Sequence, residues 1–183
     1  MRKFEKQIEQ AFIALKNESD LSPNNQKVNC ILNQLVSCAS NYHKCKCCSS
    51  FSKKTSKILP EFRSICSKAE YEMEKFWAKY FCNLNNLNPE NLQEFWYYNN
   101  YEAIAKKETL LINRHCPANK KLKMLFAGSG PLPLSAILMD KYSNLDITLL
   151  DIDSEAIELS KILLAKLGLN FKVINADIQN FDT

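Results

Sequence analysis

Through the first two-thirds of the chain, apolar residues recur at helical spacing. Phe4, Ile8, Ala11, Phe12 and Leu15 form one stripe, which predicts a helix over residues 1–17. A polar loop over 17–25, holding Ser22-Pro23-Asn24-Asn25, interrupts the pattern. Val28, Ile31, Leu32, Leu35, Val36 and Ala39 resume it and predict a second helix. Residues 40–57 are serine-rich and basic, and read as an exposed connection. A third helix is predicted from about Pro60 to Asn83, with Phe62, Ile65, Ala69, Met73, Phe76, Trp77 and Tyr80 at its apolar positions. After an asparagine-rich break, Pro89 in a first helical turn, with Asn88 as cap, predicts a short helix. The aromatic run Phe95-Trp96-Tyr97-Tyr98 leads into a helix through Tyr101, Ile104, Ala105, Leu110 and Leu111.

At Lys121 the period changes. Leu122 to Ala127 is a short apolar segment that ends in Gly128-Ser129-Gly130, a strand followed by a glycine turn. Leu134 to Lys141 reads as a helix, Ile147 to Leu150 as a second strand, and Glu155 to Leu167 as a second helix closed by Gly168. Phe171 to Ile174 is a third strand. This β-α-β-α-β order is one mononucleotide-binding half of a doubly wound fold. The pattern therefore predicts an α/β protein: an N-terminal helical bundle over 1–118, then a partial Rossmann-like domain with parallel strands over 119–183. The first strand then has an open edge unless something covers it.

Composition narrows the class. With 183 residues, 46% hydrophobic and 24% charged, the chain is ordinary for a globular protein. Its longest apolar runs, such as 131–139, are too short to span a bilayer, and the charged N-terminus does not look like a secretory signal. A cytoplasmic protein is expected, with no membrane partner. The net charge of +4 is mild, and its one basic cluster, Lys44, Lys46, Lys53, Lys54 and Lys57, lacks the interleaved aromatics of a nucleic-acid platform. That cluster reads as a solvated loop, with no nucleic-acid partner expected. Nothing in the pattern assigns an oligomeric state.

Eight cysteines occur, three of them (Cys45, Cys47, Cys48) beside His43. A structural zinc site pairs one such motif with a second, and no second pair follows, so no metal site is expected. Cys30, Cys38, Cys66, Cys82 and Cys116 are scattered singly, as small buried hydrophobes are.

The chemistry concentrates after the first strand. Glycines in a strand-to-helix turn let the backbone bend sharply and approach a ligand. Asp151 follows Gly128 by 23 residues, at the end of the second strand, where a carboxylate can accept ribose hydroxyls. Asp177, past the third strand, is placed to receive an adenine amine. Strand, glycine turn, Asp151 and Asp177 in this order point to a nucleotide, without separating a dinucleotide from S-adenosylmethionine. Pro131-Leu132-Pro133 argues against a pyrophosphate, because two prolines remove N–H donors where phosphate needs them.

The segment Leu125-Phe126-Ala127-Gly128-Ser129-Gly130-Pro131-Leu132-Pro133-Leu134-Ser135 resembles the GSGPLPL signature of nicotianamine synthases, which continues with Thr or Ser. The likeness covers most of the chain. Val28-Asn29, Ile31-Leu32, Leu35-Val36 and Cys38 match a helical stretch of the plant enzymes. Tyr97-Tyr98-Asn99-Asn100-Tyr101, with Glu108 seven residues on, is similar to their P-Y-Y-x-N-Y-x-x-L-x-x-x-E motif, with Trp96 for the proline and Ile104 for the leucine. Asp151-Ile152-Asp153 resembles D-I-D-P. Ordinary methyltransferases place an acidic residue where Phe126 stands and a third glycine where Leu132 stands.

The resemblance implies an enzyme that moves aminocarboxypropyl groups from S-adenosylmethionine onto an amine, releasing methylthioadenosine. It implies cofactor contacts at Gly128, Ser129, Gly130, Asp151 and Asp177, and substrate contacts at Tyr98, Glu108, Pro131 and Leu132. An amine nucleophile must lose a proton, so a general base is required. The third helix carries Glu70, Glu72 and Glu74, of which Glu70 and Glu74 share a face. By spacing alone these are surface carboxylates paired with Lys68 and Lys75. The resemblance selects Glu74 as catalytic carboxylate and Tyr101 as its partner, across one inserted residue, with Glu72 as a substitute. A small-molecule methyltransferase and a non-catalytic cofactor-binding remnant are the competing readings.

Overall fold

The computed structural model describes residues 2–42, 51–115 and 121–181. His43, Cys45, Cys47, Cys48, Lys44, Lys46 and Cys116 lie outside them. Two compact units divide the chain, Met1–Met73 and Glu74–Thr183. Their boundary falls inside a helix.

Unit one contains α1 (Arg2–Lys16), α2 (Gln26–Tyr42) and the first part of α3 (Lys53–Asn83). Asn25 starts α2, its Oδ1 accepting from the N–H of Lys27 at 3.1 Å. The three helices bury Ile8, Ala11, Leu15, Val28, Phe62 and Ala69 against one another, the stripes expected from the pattern.

Helix α3 begins seven residues before Pro60, which corrects the expected exposed connection. Ser52 supplies the reason: its Oγ accepts from the N–H of Thr55 at 3.2 Å, which is N-cap geometry. Thr55 is fully buried, its hydroxyl against Ser52 Oγ and donating to Glu9. Lys53, Lys54 and Lys57 are thus helical rather than in a loop, still exposed, and Lys54 pairs with Glu9. Pro60 sits within the helix, where it costs a hydrogen bond that the long flanking turns outweigh.

Unit two holds the end of α3, α4 (Tyr98–His115), β1 (Leu122–Ala127), α5 (Leu134–Tyr142), β2 (Leu145–Asp151), α6 (Ser154–Lys166) and β3 (Lys172–Asn175). The expected short helix at Pro89 is a 3-10 turn over Asn91–Glu94. Asn88 does hold it, through reciprocal bonds: Asn88 Oδ1 accepts from Asn91 N and Asn91 Oδ1 from Asn88 N. The strands form one parallel sheet in the order β1-β2-β3, with Ala127 opposite Leu150 and Asp151 opposite Asn175. Central β2 is the most buried, as parallel strands require. Leu149 and Leu150 have essentially no exposed surface, each contributing about 1.5–3 kcal/mol by burial. Gly168, at φ +69°, ends α6 in a Schellman turn: Leu169 N donates to Leu164 O and Gly168 N to Ala165 O. Among the described residues no helix is long and apolar enough to cross a membrane.

Candidate functional site

All three strands point their C-terminal ends at one rim, which carries the glycine turn, Asp151 and Asp177. In open α/β sheets that rim is where ligands bind. Gly128 and Gly130 take φ +70° and +68°, which a side chain resists and glycine allows. Gly128 N and Ser129 N both donate to Leu150 O, at 2.8 and 3.2 Å, so the turn is sewn to β2. Ser129 is 8% exposed, and its buried hydroxyl finds no hydrogen-bond partner among the described residues. A buried polar group left unpaired is costly, and a ligand atom at the turn would satisfy it.

Asp151 is 9% exposed, and its carboxylate braces the turn. Oδ2 accepts from Gly130 N at 2.8 Å and Oδ1 from Asp153 N at 2.9 Å. Each oxygen keeps a second acceptor direction for a hydroxyl. Its own backbone oxygen receives Ala176 N and Asn175 Nδ2, tying β2 to the end of β3. Asp177, half-buried at that end, caps a 3-10 turn by accepting from Gln179 N at 2.9 Å.

Glu74 joins this rim from α3. Tyr101 donates its hydroxyl to Glu74 Oε1 at 2.7 Å. The other oxygen lies against the bare Cα of Gly130, since a Cβ placed there would sit 2.6 Å from Glu74 Oε2. The carboxylate is therefore half-buried between a tyrosine and the glycine turn, not a solvated surface group. Lys75 instead forms an ion pair with Glu155, which Lys79 joins at 2.8 Å. These pairs anchor α3 to the first turn of α6. Trp77, one turn beyond Glu74, stands among Phe81, Phe95 and Trp96, and Phe95 in turn meets the Tyr101 ring at 5.7 Å.

The remaining expected residues make none of these contacts. Tyr98 is buried at the start of α4, where burial raises its hydroxyl pKa and the charges of Lys141 and Glu102 act on it. Close by, Tyr142 donates to Glu102 at 2.6 Å and Lys106 stands over the Tyr142 ring. Glu108 lines a different groove of about 420 Å³, with Leu111 and Ile112 along the outer edge of β1. Pro131 and Leu132 have almost no exposed surface, so their side chains pack inward. Among the described residues no three His, Cys, Asp or Glu side chains gather as a metal-binding group.

Sequence reasoning missed Ser160 on α6. It is fully buried and donates to Gly130 O at 2.9 Å and to Ala156 O at 2.8 Å. It missed Asp153 too, which caps α6 by accepting from Glu155 N and Ala156 N. The sequence Asp153-Ser154-Glu155 before an apolar run was signal enough for the cap. No short-range signal marks Ser160.

The family described as "Nicotianamine synthase protein" matches residues 3–183. Nicotianamine synthase 2 of Arabidopsis thaliana is 28% identical over 164 residues, 88% of this chain and 51% of that protein. Nicotianamine synthase 1 of the same plant is 33% identical over 106 residues, 56% of this chain and 33% of that protein. The chain thus spans about half the length, or less, of these curated relatives. Among solved structures, a glutamate-to-glutamine mutant of MtNAS superposes with a TM-score of 0.73 at 20% identity, covering 95% of this chain and 66% of that one. MtNAS in complex with MTA and tNA superposes at 0.69 and 21% identity, covering 94% and 66%. The fold is shared at that distance, and by its sequence the chain belongs to the nicotianamine synthase family.

Proposed function

We propose that the protein transfers 3-amino-3-carboxypropyl groups from S-adenosylmethionine to an amine, and that its product is nicotianamine or a related metallophore. One observation carries this reading: the Glu74 carboxylate, bonded to Tyr101, rests on Gly130 of the glycine turn after β1. MtNAS, which shares the fold, has been solved with MTA and tNA, and its glutamate-to-glutamine mutant with S-adenosylmethionine. On this reading the protein works in the cytoplasm on small molecules.

The nucleoside lies across the C-terminal rim of the sheet. Gly128 and Gly130 admit it closely, Asp151 and Asp177 offer acceptors to ribose and adenine, and Ser129 offers its spare hydroxyl. The acceptor amine attacks the methylene carbon beside the sulfonium. A C–N bond forms, the C–S bond breaks, and its electron pair returns to sulfur, so methylthioadenosine leaves neutral. Before that attack the acceptor, an ammonium ion near neutral pH, must shed a proton to free its lone pair. Glu74 takes that proton, and the Tyr101 hydroxyl orients the carboxylate by occupying one oxygen.

The test is incubation of the full-length protein with S-adenosylmethionine, with products read by mass spectrometry. Methylthioadenosine is the expected nucleoside. Release of S-adenosylhomocysteine would mean methyl transfer and would overturn the reading, as would absence of turnover. Glu74→Gln keeps the shape and removes the base. It should retain S-adenosylmethionine binding by calorimetry and lose product formation about 100-fold or more, the usual scale of general-base loss.

A further inference from the structure

Gly130 is gripped from three elements at once. Its N–H donates to Asp151 on β2, its Cα carries the Glu74 carboxylate of α3, and its carbonyl accepts from Ser160 on α6. Two of these contacts belong to side chains already assigned to the chemistry. The third does not. We propose that Ser160 is a positioning residue: its buried hydroxyl fixes the Gly130 peptide plane, and so the seat on which Glu74 rests.

Ser160 has no exposed surface, so its hydroxyl must be satisfied within the protein. A helical serine ordinarily satisfies itself by donating back to the carbonyl four residues earlier, here Ala156 at 2.8 Å. A hydroxyl carries one hydrogen, so the Gly130 carbonyl at 2.9 Å shares it. Were back-bonding the only role, nothing would require Ser160 to lie within reach of a turn thirty residues away. The residues after Gly130 sharpen the need. Pro131 and Pro133 have no N–H with which to knit the turn to its surroundings, and only Leu132 supplies one between them. Side-chain anchors must therefore do that work, with Asp151 on the amide side of Gly130 and Ser160 on the carbonyl side.

Alpha-six is itself held to the helix of Glu74, because Glu155 in its first turn pairs with Lys75 and Lys79. The distance from carboxylate to turn is thus set through a closed loop of contacts: α3 to α6 by ion pairs, α6 to Gly130 by Ser160, and Gly130 back to Glu74. Removing the Ser160 hydroxyl opens that loop at its most buried link. The consequence for catalysis rests on the transferase reading above. The consequence for the turn does not.

The experiment uses the full-length protein and Ser160→Ala, which removes the hydroxyl without adding volume. Two readouts separate the claims. Amide hydrogen exchange across Gly128–Leu132 should accelerate about 10-fold while the rest of α6 keeps its protection. Steady-state methylthioadenosine release should show kcat falling about 10-fold or more, with KM for S-adenosylmethionine within about threefold, since a misplaced catalytic group costs rate before binding. A looser turn together with lower kcat supports the inference. Unchanged exchange at the turn overturns it, as does faster exchange with unchanged kcat. A lowered melting temperature with both readouts unchanged shows a packing role only and also overturns it. If the unmutated protein releases no methylthioadenosine, the transferase reading fails, and the exchange pattern alone still decides whether Ser160 holds the turn.

Discussion

Replacing Gly130 by alanine tests the central contact, and the structure supplies its own control. Gly130 and Gly168 have nearly the same dihedral, φ +68° and +69°. A side chain at either pays the left-handed penalty, roughly 1–2 kcal/mol. They differ in surroundings. A Cβ at Gly168 meets nothing within 4 Å, whereas at Gly130 it would lie 2.6 Å from Glu74 Oε2. Real Cβ contacts essentially never fall below 3.0 Å and are ordinary from 3.4 Å, so the carboxylate must retreat by roughly 0.4–0.8 Å. A displacement of about 1 Å at a reacting group can cost about 100-fold in rate. Both variants should therefore melt a few degrees lower, at about 2–4 °C per kcal/mol for a protein of this size. Only Gly130→Ala should lose methylthioadenosine release by about 30- to 100-fold per folded molecule, Gly168→Ala staying within about twofold. Differential scanning fluorimetry and single-turnover product assays measure the two effects separately. Equal losses of activity in the two variants would refute the contact between Glu74 and Gly130 as a working feature.

Two further outcomes follow from the same rim and its flanks. Asp151→Asn keeps the size of the side chain but leaves one oxygen where two accept, and turns an amide N–H₂ toward either Gly130 N–H or Asp153 N–H. It should destabilise by about 1–3 kcal/mol, read as a lowered urea midpoint, and a midpoint unchanged from the parent would contradict the bracing role. Burial pushes the Cys66 thiol up to about 11, with Glu70 adding to it. Its thiolate is the reactive form, so below pH 9 Cys66 should alkylate far more slowly than exposed Cys30, and speed up only as pH nears 11. Peptide mapping after iodoacetamide checks this, and fast labelling of Cys66 at pH 8 would refute its burial.

Much of the fold was readable because burial imposes short periods. The stripes of α1 and α2, the apolar strands and the Gly168 stop are local patterns whose physical cause lies within a few residues. The start of α3 was hidden by a competing local rule. Pro60 fits a first helical turn, and the basic, serine-rich segment before it has no apolar stripe. What overrides the proline is the Ser52 cap with the burial of Thr55, and burial of a threonine cannot be read from its own neighbours. At Pro89 the reverse occurred. Asn88 and Asn91 bond each other reciprocally, at 3.0 and 3.1 Å, and close one 3-10 turn instead of opening a longer helix.

The site divides in the same way. Glycines that need positive φ announce themselves, because few other residues can stand where the turn requires them. A strand-end aspartate announces itself by its distance from that turn. What uses the empty space beside a glycine stays hidden until the chain is folded. Glu70 and Glu74 are indistinguishable by spacing, yet Glu74 meets Tyr101 and Gly130. Tyr101 is 27 residues from Glu74 and Gly130 lies 56 residues away. No periodicity links residues at such separations; only the docking of α3 and α6 does. That is why Ser160 left no trace in the pattern while holding the same glycine. A residue whose role is to fix another residue's geometry has its meaning in the partner, and the partner is chosen by topology. If that holds, variants that preserve every recognisable motif but break the Lys75–Glu155 or Ser160–Gly130 links should still look like members of the family in sequence while losing the geometry its chemistry needs.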